Sequence, residues 1–472
     1  MQTECNAEAF DFGRVERREV VGWFDGGSMT SDAGAVLLGL TDRAIRLVDR
    51  FAGCFTDRRC PELIEHKVET LVGQRIFGIA LGYEDLIDHD SLRHDPIFAV
   101  LAGKLKASRE DCAPVAGKST LNRLELSKPQ PSRYHKITYD AAAVDRLFVD
   151  LFIEAHHEPP KQIILDIDAT DDPLHGHQEG RYFHGYYDCY CYLPLYIFCG
   201  RHLLSARLRR SNIDAAAGTR EEVARIVEQI RWRWPQLRIL LRADSGFARE
   251  ELMSWCEEAG VDYLFGLARN KRLLVEIETE LAAAAEEMGR TGKSARRFKD
   301  FTYTTLNSWS RERRVVGKAE WLAPKETEPA REAPAKGEAN PRFVVTSLSI
   351  EECEARRLYE EAYCARGDME NRIKECQLDL FADRTSSATM RANQLRLYFA
   401  SMAYVLLCAL RRIGLEHTQF AKASCATIRL KLFKIGALIR ISVRRIKIAM
   451  TSAYPYRQEF GRACFELKNA TR

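Results

Sequence analysis

The chain has 472 residues, 46% of them apolar and 29% charged, and a formal net charge of only +4 at pH 7. This is the composition of an ordinary globular protein, which excludes a disordered, collagen-like or disulfide-stapled chain. The length exceeds the roughly 250–300 residues at which a single core stops growing, so more than one domain is expected. The 14 cysteines are scattered and form no CxxC pair, which points to reduced, apolar use rather than zinc or disulfides. The first residues lack the basic start and apolar stretch of a signal peptide. The most apolar segment, Tyr398 to Leu410, is too short for a membrane span. A cytoplasmic location with no membrane contact is expected.

Residues 1–155 read as a mainly helical N-terminal region after a β-like opening near Arg18 to Phe24. Ser31-Asp32 can cap a helix over 33–51, and further helices are predicted at 60–81, 97–105, 119–126 and 139–156. From Lys161 the pattern changes to strands at 161–168, 192–199 and 201–208, rich in β-branched and aromatic residues. A helix follows over 219–234, with Val223, Ile226, Val227 and Ile230 at core-facing spacing and Pro235 to stop it. Strand 237–243, helix 247–259 and strand 262–267 complete the run. Three strands, then helix, strand, helix, strand is the order of an RNase H-like α/β core, assigned to 156–270. In that fold the first and fourth strands are neighbours.

An insertion is predicted over 271–342, with a polar helix from Lys271 to Met288 and strands at 297–306, 311–322 and 342–348. Its Pro-, Ala-, Glu- and Lys-rich stretch 323–341 buries too little apolar surface to order itself and is predicted to be a flexible loop. Residues 343–385 would complete the core, and 386–472 would form a helical, basic C-terminal region.

Three acids stand where a shared site needs them. Asp168 closes the first strand, Asp244 ends the fourth, and Glu370 lies on a later charged helix. Carboxylates converging from separate elements suit Mg²⁺, with Mn²⁺ as a substitute, and phosphodiester chemistry. Asp166 shares a strand face with Asp168 and is its rival as ligand. Asp171 and Asp172 read better as an acidic turn. Tyr363, Arg366, Glu370 and Lys374 recur at offsets that put them on one helix face. Arg366 could grip a phosphate and Tyr363 could bond a backbone oxygen, although a solvated, salt-bridged helix explains the same charges.

Between Lys422 and Lys447 the chain carries eight basic residues, among them Arg440, Arg444 and Arg445, and no acid. Apolar residues interleave with them, which suggests a packed element with a basic face for phosphate contacts. A membrane-surface helix is the alternative. Ala116 to Thr120 imitates the end of a phosphate-binding loop but lacks its first glycine and a preceding strand, so a loop leading to a helix capped by Ser119 is expected. His175, His177 and His184 have no matching ligand set and read as surface or DNA-facing residues.

Asp-Ala-Thr at 168–170, Ala-Asp-Ser-Gly-Phe at 243–247 and Tyr363-x-x-Arg366-x-x-x-Glu370 resemble the DDE transposases of bacterial insertion sequences, in the group with a Tyr-Arg-Glu-Lys signature. The likeness extends to 82–85, 92–96 and 176–195. The signature's lysine falls at Gln377, where Lys374 can substitute. The resemblance implies binding of terminal inverted repeats, cleavage there and joining to target DNA, with a homodimer or multimer holding two ends. It also implies that Trp309 or Trp321 stacks a displaced base, against the plainer reading that both pack the insertion's own sheet. A catalytically inactive DNA-binding repressor and an RNase H-like nuclease are the rival readings.

Overall fold

The computed structural model describes residues 10–324 and 337–471, so most of the loop expected at 323–341 lies outside the described residues. The chain forms two compact units. One comprises Ala141–Gln377 and Ala382–Tyr398; the other comprises Met1–Asp140, Leu378–Phe381 and Phe399–Arg472.

The first of these units is built on a mixed sheet of nine described strands. They are β1 (Gln162–Ala169), β2 (Leu195–Cys199), β3 (His202–Arg207), β4 (Arg238–Ala243), β5 (Asp262–Leu267), β6 (Ala295–Tyr303), β7 (Arg313–Leu322), β8 (Glu338–Ala339) and β9 (Arg342–Thr346). Their order is β3-β2-β1-β4-β5-β9-β7-β6, with β8 paired to β7. The predicted neighbours β1 and β4 run parallel, and Ile167 is paired with Ala243. Asp168 and Asp244 therefore leave adjacent strands at the same end of the sheet, where strand spacing is about 4.8 Å.

Alternation along β1 explains the two faces. Ile163, Leu165 and Ile167 pack with Val223, Ile226 and Ile230 of helix α1 (Thr219–Arg233) and with Leu252 and Met253 of helix α2 (Glu250–Ala259). Ile164 turns the other way and joins Leu240, Leu264, Val344, Leu358 and Tyr359. Asp166 and Asp168 share that second face, and the helical segment carrying Glu370 covers it.

Two expectations about the insertion change. Its strands make no separate sheet, because β9 pairs antiparallel with β5 and carries β7 and β6 onto the edge of the main sheet. The polar helix is broken at Ile277 into Lys271–Glu276 and Glu278–Thr291, and Ile277 is fully buried at the break.

The other unit mixes helices with short strands. The expected helix over 33–51 is interrupted at Arg46, which adopts a left-handed conformation between Val36–Ile45 and Leu47–Ala52. Asp32 does not cap it. Its buried carboxylate instead accepts from Tyr83 Oη at 2.7 Å and pairs with Lys434 Nζ at 2.6 Å. Burying a charge requires such partners. Helix Lys118–Glu125 starts after Gly117 with no cap from Ser119; Asp90 Oδ1 accepts the Lys118 amide instead.

The C-terminal region is not all helix. Ala437–Ile441 and Ile446–Met450 form a β-hairpin that pairs with Met29–Thr30. Gly34 packs so tightly on this region that a Cβ there would lie 1.8 Å from the Leu432 carbonyl oxygen. Tyr398 to Leu410 is a largely buried stretch of helix Met390–Ile413, as its apolarity requires. Among the described residues no helix is long and apolar enough to cross a membrane. Every described cysteine is free.

Candidate active site

A cleft of about 590 Å³ opens at the carboxyl ends of β1 and β4. Asp168, Asp244, Arg366, Glu370, Lys374 and Gln377 line it, so the three predicted acids meet in one depression. Asp244 ends β4 and turns the chain into a short 3₁₀ segment, its Oδ1 accepting from the Gly246 amide at 2.8 Å. Asp168 Oδ1 accepts from the amide of Ala169 at 3.0 Å. Burial pushes the Asp168 carboxyl up to about 6; Arg366 opposes the rise, while Asp244 and Glu370 add to it. A site that strains to hold its negative charge favours a cation.

Arg366 supplies part of that positive charge. Its guanidinium lies 3.3 Å from Asp168 Oδ2 and 3.7 Å from Glu370 Oε1. Burial alone would lower its affinity for a proton; Asp168, Tyr363, Asp244 and Glu370 more than offset this and leave it above the usual arginine value. Glu370 is the outermost acid, with 53% of its side chain exposed, so it retains rotamer freedom. The oxygens of the three acids do not all come within 4.8 Å of one another. Three hard oxygen donors around an electrostatically strained carboxyl nonetheless fit a divalent cation.

The rivalry between Asp166 and Asp168 has a geometric answer. Asp166 is buried and clamped by Arg242, Nε to Oδ1 at 2.5 Å and Nη2 to Oδ2 at 2.8 Å. The two face each other across the β1–β4 ladder. Arg242 also donates to the carbonyl oxygen of Ala362, just before Tyr363. Asp166 is thus spent on holding the sheet to the helical segment, and Asp168 is the one that reaches the cleft.

That segment is less regular than the expected α-helix. It widens to a π turn over Leu358–Tyr363, tightens to 3₁₀ over Cys364–Arg366 and becomes α-helical over Gly367–Lys374. Arg366, Glu370 and Lys374 still face the cleft, whereas Tyr363 is not among its lining residues. A Cβ placed on Gly266 would meet Tyr363 Oη at 2.5 Å and the Ser245 amide at 2.9 Å. Only glycine lets β5 pass so close beneath the end of β4.

Gln377 donates from Nε2 to the Asp171 carbonyl at 3.1 Å and to Asp172 Oδ1 at 2.9 Å. Asp172, expected in an acidic turn, begins the short strand Asp172–Pro173 and is fully buried, and burial pushes its carboxyl up to about 8, with the Gln377 hydrogen bond opposing and Asp383 and Asp171 adding. A carboxyl raised in the folded state contributes stability below its unfolded value, near 4, and loses it as pH rises to the folded value. Asp172→Asn removes that loss. The variant should melt above the parent by a margin that grows from pH 4 to pH 8 and reaches on the order of 4 kcal/mol at pH 7. A margin that does not vary with pH would disprove the assignment.

Another part of the cleft lining was legible only through His184, read above as a surface or DNA-facing residue. His184, Tyr186 and Tyr187 line the cleft from a ribbon whose strands are Tyr182–His184 and Cys189–Tyr192. The available signal was the aromatic run from Tyr182 to Tyr187. His175 and His177 are exposed. Trp309 packs partly buried against the main core, edge-on to Tyr303 at 5.8 Å, with the Arg313 guanidinium 5.4 Å from its ring. Trp321 sits half-buried in β7. These contacts favour the packing reading for Trp309. Trp309→Ala should cost about 2 kcal/mol, read as a lower melting temperature. Unchanged melting together with slowed second-strand cleavage would restore the base-stacking role.

The family described as "Transposase DDE domain group 1" matches residues 12–472, nearly the whole chain. The chain belongs to that family and is a DNA-acting transposase of the DDE type. No curated protein matches it. Among solved structures it is similar to a piggyBac transposase synaptic complex with hairpin DNA determined by cryo-EM, with a TM-score of 0.38 and 12% identity over 85% of this chain and 79% of that one.

Proposed function

We propose that the chain is the transposase of a bacterial insertion sequence, with an RNase H-like core, that binds the element's terminal inverted repeats, cleaves there and joins the ends to target DNA. The observation that carries this reading is the convergence of Asp168, Asp244 and Glu370 on one cleft with Arg366 between two of them. Asp168, Asp244 and Glu370 would hold divalent ions, Mg²⁺ or Mn²⁺ in its place, which when bound supply the positive charge for in-line displacement at phosphorus.

The chain's own residues do the rest. Arg366, already drawn to two acids, can turn one face of its guanidinium to a phosphate oxygen. Lys374, one turn beyond Glu370, adds a second cation to the cleft wall and takes the place of the signature lysine, since Gln377 is occupied by Asp172. Tyr363 acts from behind Gly266 and sets the position of the helical segment. Two element ends must be held together, so a homodimer or higher multimer is the working form.

The deciding experiment incubates the purified full chain with Mg²⁺ and DNA carrying the ends that flank its own gene. Nicks at the element boundary, and joined products when a target duplex is present, are expected. Binding without cleavage would leave the repressor reading standing, and cleavage confined to RNA–DNA hybrids would leave the nuclease reading.

A further inference from the structure

The eight basic residues between Lys422 and Lys447 do not form one surface. Arg429 is turned inward, donating to the carbonyls of Ala80, Ile79 and Asp379. Lys434 is held by Asp32. By contrast, the side chains of Arg440, Arg444, Arg445 and Lys447 make no hydrogen bond or ion pair among the described residues, and all four are exposed. They sit at the far end of the hairpin formed by Ala437–Ile441 and Ile446–Met450. The third strand, Met29–Thr30, pairs only with Ala437 and Leu438, so the ribbon beyond Ile439 projects unsupported on that side.

The tip itself is unusual. Ser442 accepts and donates across to Arg445, the amide of Ser442 bonding the Arg445 carbonyl at 2.9 Å and the Arg445 amide bonding Ser442 Oγ at 3.2 Å. That pins a tight turn whose two central residues are Val443 and Arg444. Turn centres ordinarily carry Gly, Asn, Asp or Pro. Here a fully exposed valine occupies the apex (105% relative exposure), with Ile441 and Ile446 exposed behind it. An apolar apex ringed by four free cations wants a partner that is anionic outside and apolar within.

We propose that this tip inserts into the minor groove of duplex DNA, Val443 wedging at a base step and Arg444 lying along the groove, while Arg440, Arg445 and Lys447 grip the flanking phosphates. The minor groove, about 6 Å wide, admits a two-residue tip but not a whole ribbon. Narrow stretches of it attract arginine, and apolar side chains serve there as wedges. The inference rests on the reading that DNA is the partner; it does not depend on cleavage.

The test uses the full chain without divalent metal and a fluorescent 30-bp duplex with an A·T-rich centre, titrated with and without netropsin, which fills the minor groove. Netropsin should weaken binding by the parent protein about tenfold. Arg444→Ala with Arg445→Ala should bind about tenfold more weakly, respond little to netropsin and lose about two units of salt slope. Val443→Ser should weaken binding with the slope unchanged. Equal binding with netropsin present, unaltered affinity in the double variant, or tighter association with phosphatidylserine vesicles than with duplex would each overturn the proposal. These outcomes are separable from failure of the proposed function: loss of binding at the tip in a protein that never cuts leaves this inference intact, and cutting by a netropsin-insensitive protein removes it alone.

Discussion

Asp168→Asn, Asp244→Asn and Glu370→Gln should each lower the rate of end cleavage by about a thousandfold or more, while duplex affinity moves less than about threefold. An amide keeps the size of the side chain and one accepting oxygen, but its NH2 cannot accept from Arg366 as Asp168 Oδ2 does, and it cannot supply the negative charge that the cleft concentrates. For Asp168 the change even relieves strain, because its carboxyl is already pushed up to about 6 by burial and by two neighbouring acids. Asp168→Asn should therefore be no less stable than the parent. The same pairing of lost cleavage and retained stability is expected for Asp244→Asn, whose Oδ1 still accepts the Gly246 amide. Cleavage is measured on labelled end DNA with Mg²⁺ and again with Mn²⁺. A variant of any of the three that cuts within tenfold of the parent would remove that residue from the catalytic set.

How much of this was readable beforehand depended on whether the signal was local or long-range. The strand-end positions of Asp168 and Asp244 followed from hydrophobic runs of strand length and from the element order, which puts β1 beside β4. Side-chain alternation narrowed the first candidate acid to Asp166 or Asp168 but could go no further, because the contact that occupies Asp166, Arg242 across the ladder, lies 76 residues away. The insertion's strands were legible as strands, yet which sheet they join is set by pairing with β5, to which no short-range pattern points. The turns of uneven pitch between Leu358 and Arg366 were invisible for a related reason: the bond from Arg242 to the Ala362 carbonyl and the close pass over Gly266 are made by other parts of the sheet. In the C-terminal region the alternation of basic and apolar residues was visible. Which cations turn inward was not, since Arg429 is claimed by the carbonyls of Ile79 and Ala80, about 350 residues earlier, as well as by that of Asp379, and Lys434 by Asp32, about 400 residues earlier.

Arg242→Met should be the most destabilising single change near the site. It would leave the Asp166 carboxylate buried without its partner, and breaking such a pair costs about 3–5 kcal/mol, or a fall of roughly 10 °C in melting temperature for a unit of this size. Burial already raises the Asp166 carboxyl, with Arg242 opposing it. Without Arg242 the folded value rises further, so the stability this group contributes is kept near pH 4 and lost as pH climbs toward that raised value. The penalty should accordingly be smallest near pH 4 and grow as pH rises toward 7. Asp166→Leu combined with Arg242→Met removes both charges and should recover most of the melting temperature, because an apolar pair avoids the desolvation cost. Activity should not return with it. Arg242 also holds the carbonyl of Ala362, the last anchor before the turns that aim Arg366 and Glu370, and methionine cannot make that bond. A double variant that is both stable and fully active would mean that the helical segment finds its place without Arg242, and that Asp166 and Arg242 serve the core alone.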